Sequence, residues 1–242
     1  MEHLMRSIVG LIVLAAGIAS LAGCGGGGGG GVTTDVGILT SDYQVLDLTT
    51  GTVESRQSLP DLLTNPAYKT TKMVFKAVYT GSGVVGALPG EFGFQADEGR
   101  TGVDVTKYYL ATFEVTQKQW ENLAGTTPWT SGQAVSVAGG AASVADGKPA
   151  FNLSYQAIKD VLDARNAAWT PTLALPTNSQ WEYACRAGAT SLYAWGDSHA
   201  PSVVSPFART WETLASGTGP GLVGGRSANA FGLYDMHGNV WE

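Results

Sequence analysis

The sequence predicts an irregular α+β domain, with few short helices, many short strands and long loops. Three observations carry this. Apolar residues alternate with period two over several short stretches, as in half-buried strands. Helix-starting signals occur at three places only, at Thr116, Ser154 and Thr177. No series of strand–helix–strand units and no internal repeat is visible, so a doubly wound or solenoid architecture does not fit. The chain has 242 residues with 44% hydrophobic side chains, enough apolar material for a sizeable core. A net charge of −6 without a basic tract leaves no footprint for nucleic acid.

The elements follow in chain order. Tyr43, Val45, Leu46 and Leu48 alternate as a short strand, closed by Thr49-Thr50-Gly51. Leu59 to Pro66 is a proline-punctuated connection. Lys72 to Thr80 alternates again, with Met73, Phe75, Ala77 and Tyr79 on one face. Gly81, Gly83, Gly86 and Gly90 mark turns, and Val103 to Val115 reads as one or two strands. Thr116 with Gln119 forms a capping box ahead of Trp120 and Leu123. Ser131 to Gly147 is small and polar, a long loop. Ser154 caps a helix carrying Ile158, Val161 and Leu162. Thr177 with Gln180 is a second capping box, opening a helix with Trp181, Ala184 and Cys185 on one face and Gly188 at its end.

The N-terminus reads as an address. Ser7 to Thr34 carries no charge, and its apolar part, Ile8 to Ala22, is 15 residues long. A spanning helix needs about 20, so the segment fits a secretory signal better than an anchor. Leu21-Ala22-Gly23-Cys24 resembles a bacterial lipobox, which implies cleavage before Cys24 and lipid on its thiol. The glycine run Gly25 to Gly31 that follows behaves as a flexible coil. The expected organisation is a lipoprotein signal over 1–23, a Gly-rich tether over 24–40, a lead-in strand and connection over 41–69, and a folded domain over 70–242. The expected location is outside the cytoplasm, with the protein lipid-anchored to the bacterial cell envelope and the membrane engaged through Cys24.

Five segments, taken in order, resemble the formylglycine-generating enzyme family, also called sulfatase-modifying factors. They are Ala111 to Thr116 with Trp120, Pro149 to Tyr155, Leu175 to Ala184, Tyr193 to Asp197, and Asn229-Ala230-Phe231-Gly232-Leu233-Tyr234-Asp235-Met236-His237-Gly238-Asn239-Val240-Trp241-Glu242. The last is close to the family signature. The resemblance implies a C-type-lectin-like fold. It implies an activity too, oxidation of a protein cysteine to formylglycine with copper held by a pair of cysteines. Leu175 stands where the family usually has Arg, and Pro201 to Gly221 aligns with nothing in it. The chain stops at Glu242, before the region where the family keeps its cysteine pair. The expectation is therefore a domain incomplete at its C-terminus, with no catalytic residue of its own and copper only in a longer protein. A non-catalytic, lectin-like module binding a protein or peptide ligand on the cell envelope is the alternative.

The same resemblance implies a structural calcium site formed by Asp235, Gly238, Val240 and Glu242. Two side-chain carboxylates and the carbonyls of Gly238 and Val240 are ligands of the kind a hard cation takes. Spacing alone also fits a plainer arrangement, in which Asp235 caps the turn and Glu242 is solvated. Cys185, the only cysteine in the folded part, reads as a buried and inert thiol. His237 varies within the family signature and is expected to have no ligand role. With only His3, His199 and His237 in the chain, a His-cluster metal centre is improbable.

Overall fold

The computed structural model describes residues 13–15, 41–91, 94–130, 145–170, 172–213 and 219–242. The strands among the described residues are β1 (Val13–Ala15), β2 (Tyr43–Asp47), β3 (Val53–Arg56), β4 (Lys72–Val78), β5 (Gly81–Val85), β6 (Thr101–Val105), β7 (Tyr108–Ala111) and β8 (Thr172–Ala174). The α-helices among the described residues are α1 (Gln117–Ala124), α2 (Tyr155–Asn166), α3 (Asn178–Arg186) and the single turn α4 (Pro201–Val204). The main sheet has the order β3-β2-β4-β7-β1-β8, and β5 and β6 form a separate ribbon. Neighbouring strands of the main sheet run antiparallel. This is the α+β class the patterning predicts.

The main sheet is apolar on both faces at its centre. Leu46, Met73 and Phe75 belong to the larger core, together with Tyr109, Leu110, Leu173 and Leu233. Val45 and Val74, on alternate positions of the same strands, join Leu62, Phe113 and Val223 in a second core. Side chains one residue apart on a strand point to opposite faces, so a strand covered on both sides loses the simple apolar–polar alternation. That explains β4, where Val74 and Val78 are as buried as Met73, Phe75 and Ala77. Tyr79 lies beyond the end of β4 and is exposed rather than sharing the buried face.

The helix starts form as the sequence predicts. Thr116 Oγ1 accepts from Gln119 N at 3.1 Å, and Gln119 Oε1 accepts from Thr116 N at 2.9 Å. Thr177 and Gln180 repeat the arrangement at 3.2 and 3.0 Å. Ser154 Oγ accepts from Ala157 N at 3.1 Å. The α3 helix ends one residue earlier than Gly188 suggests, with Ala187 itself in the left-handed region at φ 50°.

Two segments differ from the sequence reading. Gly81 to Val85 is a strand, paired with β6, not a run of turns. Its glycines serve packing: a Cβ on Gly83 would lie 2.8 Å from the Tyr183 ring, so only glycine lets α3 rest on this ribbon. Val13 to Ala15, inside the expected signal segment, is a strand between β7 and β8. The rest of 1–40, with Cys24 and the glycine run, and residues 131–144 of the expected loop lie outside the described residues. Among the described residues no helix is long and apolar enough to cross a membrane.

Candidate functional site

The signature turn, residues 229–242, has no regular secondary structure and is held by side chains from distant elements. Asn229 starts it. Its Oδ1 accepts from Phe231 N and Leu233 N, and its Nδ2 donates to Ala184 O at 2.8 Å, tying the turn to α3. Tyr234 N donates to Thr112 O at 3.1 Å, which docks the turn beside the end of β7. Asp235 at φ 60° and Asn239 at φ 81° take left-handed backbone that most L-residues avoid. Gly238 is needed for a different reason: a Cβ there would come within 2.6 Å of the Arg209 carbonyl.

Glu114 is the hub of the turn. It lies just before the α1 cap, between Phe113 and Val115, and is fully buried. Its carboxylate accepts from Asn239 Nδ2 at 2.6 Å and from Val240 N at 3.1 Å. Asp235 Oδ2 accepts from Gly224 N at 2.6 Å. Glu242 Oε2 accepts from the Trp181 indole N–H at 2.6 Å, while its Oε1 is buried with no hydrogen-bond partner.

These three carboxyls share one electrostatic problem. Burial raises the Glu114 pKa well above the ordinary value, with Asp235 and Glu242 adding to the effect. Burial raises Asp235 to about 6, against the pull of the Gly224 amide, Lys69 and Arg226. Burial raises Glu242 to about 8, with the Trp181 bond opposing and Asp235 adding. Desolvation outweighs the opposing charges and hydrogen bonds, so each acid resists ionisation.

Of the four sequence-predicted calcium residues, the fold buries the carboxylates of Asp235 and Glu242 near one another. Gly238 N closes the turn on Asp235 O at 3.1 Å, and Val240 is fixed through its amide by Glu114. The donor chemistry fits a hard cation, because Glu242 offers an orphaned buried oxygen in a site short of positive charge. Among the described residues, no group of three or more His, Cys, Asp or Glu stands arranged to hold a metal. Asp235 is buried and its side chain bonds Gly224 N rather than its own turn, while Glu242 is half-buried as a residue with its side-chain oxygens turned inward.

A pocket of about 240 Å³ opens beside the turn, lined by Trp195, Phe207, Asn229, Asp235, Met236 and His237 among others. Trp195 is the middle layer of an aromatic stack. Tyr193 lies parallel to it at 4.9 Å and Phe207 at 5.5 Å, and His237 meets its edge at 4.6 Å. Ala194 N donates to His237 Nε2 at 3.3 Å, so the ring proton belongs on Nδ1. Burial, helped by Arg186, lowers His237 to about 4. It is a neutral ring at physiological pH.

Behind His237 stands Cys185, with Sγ 3.5 and 3.7 Å from the two ring nitrogens. The sequence implied no histidine beside this cysteine. The thiol is buried as expected and donates to Met236 O at 3.3 Å. Burial pushes its pKa far up, with Glu242 and Glu182 adding. A thiol so placed is not a nucleophile, since the thiolate is the reactive form.

Sequence reasoning missed Glu114, the Cys185–His237 contact and the Trp195–Phe207 pocket wall with Tyr193 stacked behind it. Only Glu114 left a signal: an acid in the apolar run Phe113-Glu114-Val115 must find donors if it is buried.

Residues 69–242 match the family described as Sulfatase-modifying factor enzyme 1-like domain. The formylglycine-generating enzyme of Mycobacterium tuberculosis is 46% identical over 78 residues, which are 28% of this chain and 25% of that enzyme. A protein named chaperone protein LppX, from Paenibacillus barcinonensis, is 27% identical over 176 residues, 58% of this chain and 62% of that protein. The chain thus spans about a quarter of the mycobacterial enzyme in the match and under two thirds of the second relative. The structure of PvdO from Pseudomonas aeruginosa superposes with a TM-score of 0.56 at 22% identity, covering 68% of this chain and 67% of that one, a likeness of fold. With the match running through the signature turn, the chain belongs to the sulfatase-modifying factor, or formylglycine-generating enzyme, family.

Proposed function

We propose that the chain is an exported, lipid-anchored domain that holds a segment of polypeptide in the pocket beside its signature turn. The observation that carries this reading is the aromatic wall of Trp195 and Phe207 beside neutral His237, backed by Tyr193 and open to a pocket of side-chain size. Such concave, mostly apolar sites with a few polar groups are where ligands are held. Attachment through Cys24 rests on the lipobox residues, and one thiol-linked diacylglyceryl group with an added acyl chain anchors stably. Replacing Cys24 by Ser abolishes palmitate labelling on this reading. Labelling that persists removes the anchor.

Binding is tested by fluorescence titration of the protein with short peptides differing in one central side chain. Aromatic and large apolar side chains are expected to change Trp195 emission saturably, and Trp195→Ala is expected to lose the response. Peptides that give no saturable change count against the reading.

Oxidation of a peptide cysteine to formylglycine is the second reading, favoured by the 46% identical segment shared with the mycobacterial enzyme. Copper(I) asks for soft thiolates. Cys185 is buried, protonated and hydrogen-bonded to Met236 O, and Cys24 is assigned to lipid, so the described residues do not seat copper. An aldehyde on a cysteine-containing peptide, detected by mass spectrometry after incubation with copper and oxygen, would decide for the enzyme.

Calcium at Asp235, Gly238, Val240 and Glu242 is proposed as structural support for the turn that frames the pocket. A ligand that binds only the folded state adds about 2.7 kcal/mol at a hundredfold excess over Kd. The protein is therefore expected to melt higher in calcium than in chelator, and Asp235→Ala with Glu242→Ala to erase the difference.

A further inference from the structure

Arg186, the last residue of α3, is a buried cation that does not line the pocket. Its fork of donors serves three partners. Nε and Nη2 both meet Glu182 Oε1 at 2.8 Å, Nη2 donates to Gly86 O at 2.7 Å, and Nη1 donates to Ser191 O at 2.9 Å. Glu182 Oε1 also accepts from Gly86 N at 2.7 Å, so both backbone groups of Gly86 are clamped to α3. Gly86 lies just past β5 at φ 80°, where a Cβ would come within 2.6 Å of the Glu98 and Gly99 carbonyls. The ribbon of β5 and β6 is thus fixed to the helix at a point where only glycine fits.

The third arm of the fork leads to the pocket. After α3 the chain turns through Ala187 and Gly188, both in left-handed backbone, and returns to the guanidinium at Ser191. Residues 191–197 then close on themselves. Ser191 Oγ donates to Tyr193 O at 2.8 Å, Leu192 N donates to Asp197 Oδ1 at 2.9 Å, and Tyr193 and Gly196 exchange two backbone bonds at 3.1 Å. A loop closed in this way keeps its own shape, but its place must be set from outside. Ala194 and Trp195, which line the pocket, ride on it. On one side the loop is held by Arg186 at Ser191 O. On the other, Ala194 N donates to His237 Nε2 at 3.3 Å, and Trp195 stacks on Phe207. The bond from the guanidinium is the shorter of the two hydrogen bonds, and a charged donor makes it the stronger.

We infer that Arg186 is a positioning residue for the pocket: its fork sets the 191–197 loop, and with it the Trp195 wall, at a fixed distance from α3 and the ribbon. That the wall's place governs binding rests on the pocket reading above; that Arg186 sets it does not. Charge alone is not enough for this task. A lysine at 186 could pair with Glu182, but an ammonium on a shorter, single-pointed stem lacks the planar fork that reaches Glu182, Gly86 O and Ser191 O together. Glu182, in turn, acts by orienting the fork, and it needs an acceptor oxygen rather than a charge to do so.

The test compares Arg186→Lys with Glu182→Gln in the 242-residue chain, and with Ile158→Val in α2 as a control for lost stability alone. The Trp195 signal is the difference between each protein and its own Trp195→Phe version. Two properties of that signal are read, the near-ultraviolet circular dichroism of the Tyr193–Trp195 stack and its quenching by acrylamide. A glycine-flanked peptide with a central phenylalanine probes the pocket. Arg186→Lys is expected to lose about half or more of the stack signal, to raise quenching about threefold, and to weaken the peptide about tenfold. Glu182→Gln and Ile158→Val should stay within about twofold of the wild type in all three. A full stack signal in Arg186→Lys overturns the inference, and so does an equal loss in Ile158→Val, which would make the effect one of stability. Nuclear magnetic resonance of the unaltered protein gives an answer that needs no variant to fold. The Arg186 guanidinium protons should exchange slowly with water and show Overhauser contacts to both Gly86 and Ser191; fast exchange with no contact to Ser191 overturns the inference as well. The two readings fail separately. If the wild type ignores the peptide while Arg186→Lys still loses the stack signal, the pocket reading falls and the positioning role stands. If the peptide binds both proteins equally well, Arg186 does not set the pocket and the pocket reading stands.

Discussion

Two clusters of ionisable groups meet the signature turn, and they answer burial in different ways. Glu114, Asp235 and Glu242 are acids raised chiefly by desolvation, each held by N–H donors, with Lys69 and Arg226 only partly offsetting the burial of Asp235. Cys185 and His237 are also buried, yet burial pushes one up and the other down, so both are neutral and at rest. The acids keep an unmet demand, visible as the orphaned Glu242 oxygen. The thiol and imidazole have none, because Met236 O and Ala194 N already serve them. Buried polarity in this domain is therefore of two kinds: one that calls for a proton or a cation, and one that is only packing with hydrogen bonds.

The sharpest way to break that distinction is to remove the hub. Glu114→Ala leaves Asn239 Nδ2 and the Val240 amide without acceptors inside the protein. A neutral hydrogen bond is worth about 0.5–1.5 kcal/mol, and each buried donor left unmet costs about 1–3 kcal/mol. The variant is expected to lose about 3 kcal/mol or more in urea denaturation. Glu114→Gln, which keeps one acceptor, should lose less. A loss under about 1 kcal/mol in Glu114→Ala would mean that the turn is held elsewhere.

The second test uses pH. An acid raised in the folded state contributes stability that is complete below its unfolded pKa and vanishes as pH climbs through its folded one. For Asp235 that window runs from 3.8 to about 6, and for Glu242 from 4.5 to about 8. His237 works in the opposite sense, because its folded pKa is depressed. Its share is complete above 6.5 and is lost as pH falls toward about 4. From pH 6.5 to 8 the histidine is silent and Asp235 is mostly ionised, so the slope belongs to Glu242 and to its raised neighbour Glu114, and Glu242→Gln separates the two. The chelated protein is expected to lose about 2 kcal/mol over that interval, since one pKa unit corresponds to about 1.4 kcal/mol. Calcium should flatten the slope by favouring the ionised form, and Glu242→Gln should flatten it without calcium. A slope unchanged in Glu242→Gln would put Glu242 in the settled class beside His237.

The sequence reads well where structure is local. The caps at Thr116, Ser154 and Thr177 each bond three residues ahead, so the pattern and the bond are the same short stretch. The signature turn is legible as a motif, down to the two acids Asp235 and Glu242 that it contains. What the sequence hides is whatever depends on a distant backbone. Gly81 and Gly83 resemble turn residues until Tyr183 is seen covering them. The acid at Glu114 finds its donors 125 and 126 residues later. Cys185 and His237 are 52 residues apart and meet only because Asn229 pins the turn to Ala184 O on α3. The strand at Val13–Ala15 cannot be read from an apolar run that fits an export signal equally well.

The smallest expected effect tests the settled side of the comparison. Cys185 Sγ donates to Met236 O at 3.3 Å and lies within hydrogen-bond distance of the His237 ring nitrogens. Replacing it by Ala removes one heavy atom and one weak donor, and leaves the Met236 carbonyl with its acceptor unmet. The expected loss is about 1 kcal/mol, within the range of a small core truncation. Because the thiol is protonated and buried, a maleimide or iodoacetamide reagent should modify it only when the protein opens. The rate of labelling should therefore track denaturant concentration and rise sharply through the unfolding midpoint. His237→Phe keeps the ring against Trp195 but removes both nitrogens, and on this account it should not change that dependence. Rapid labelling of Cys185 in the native protein, abolished by His237→Phe, would instead reveal a thiolate held by an imidazolium. The two clusters would then be alike in carrying charge, and Cys185 would stand as a reactive group at the back of the pocket.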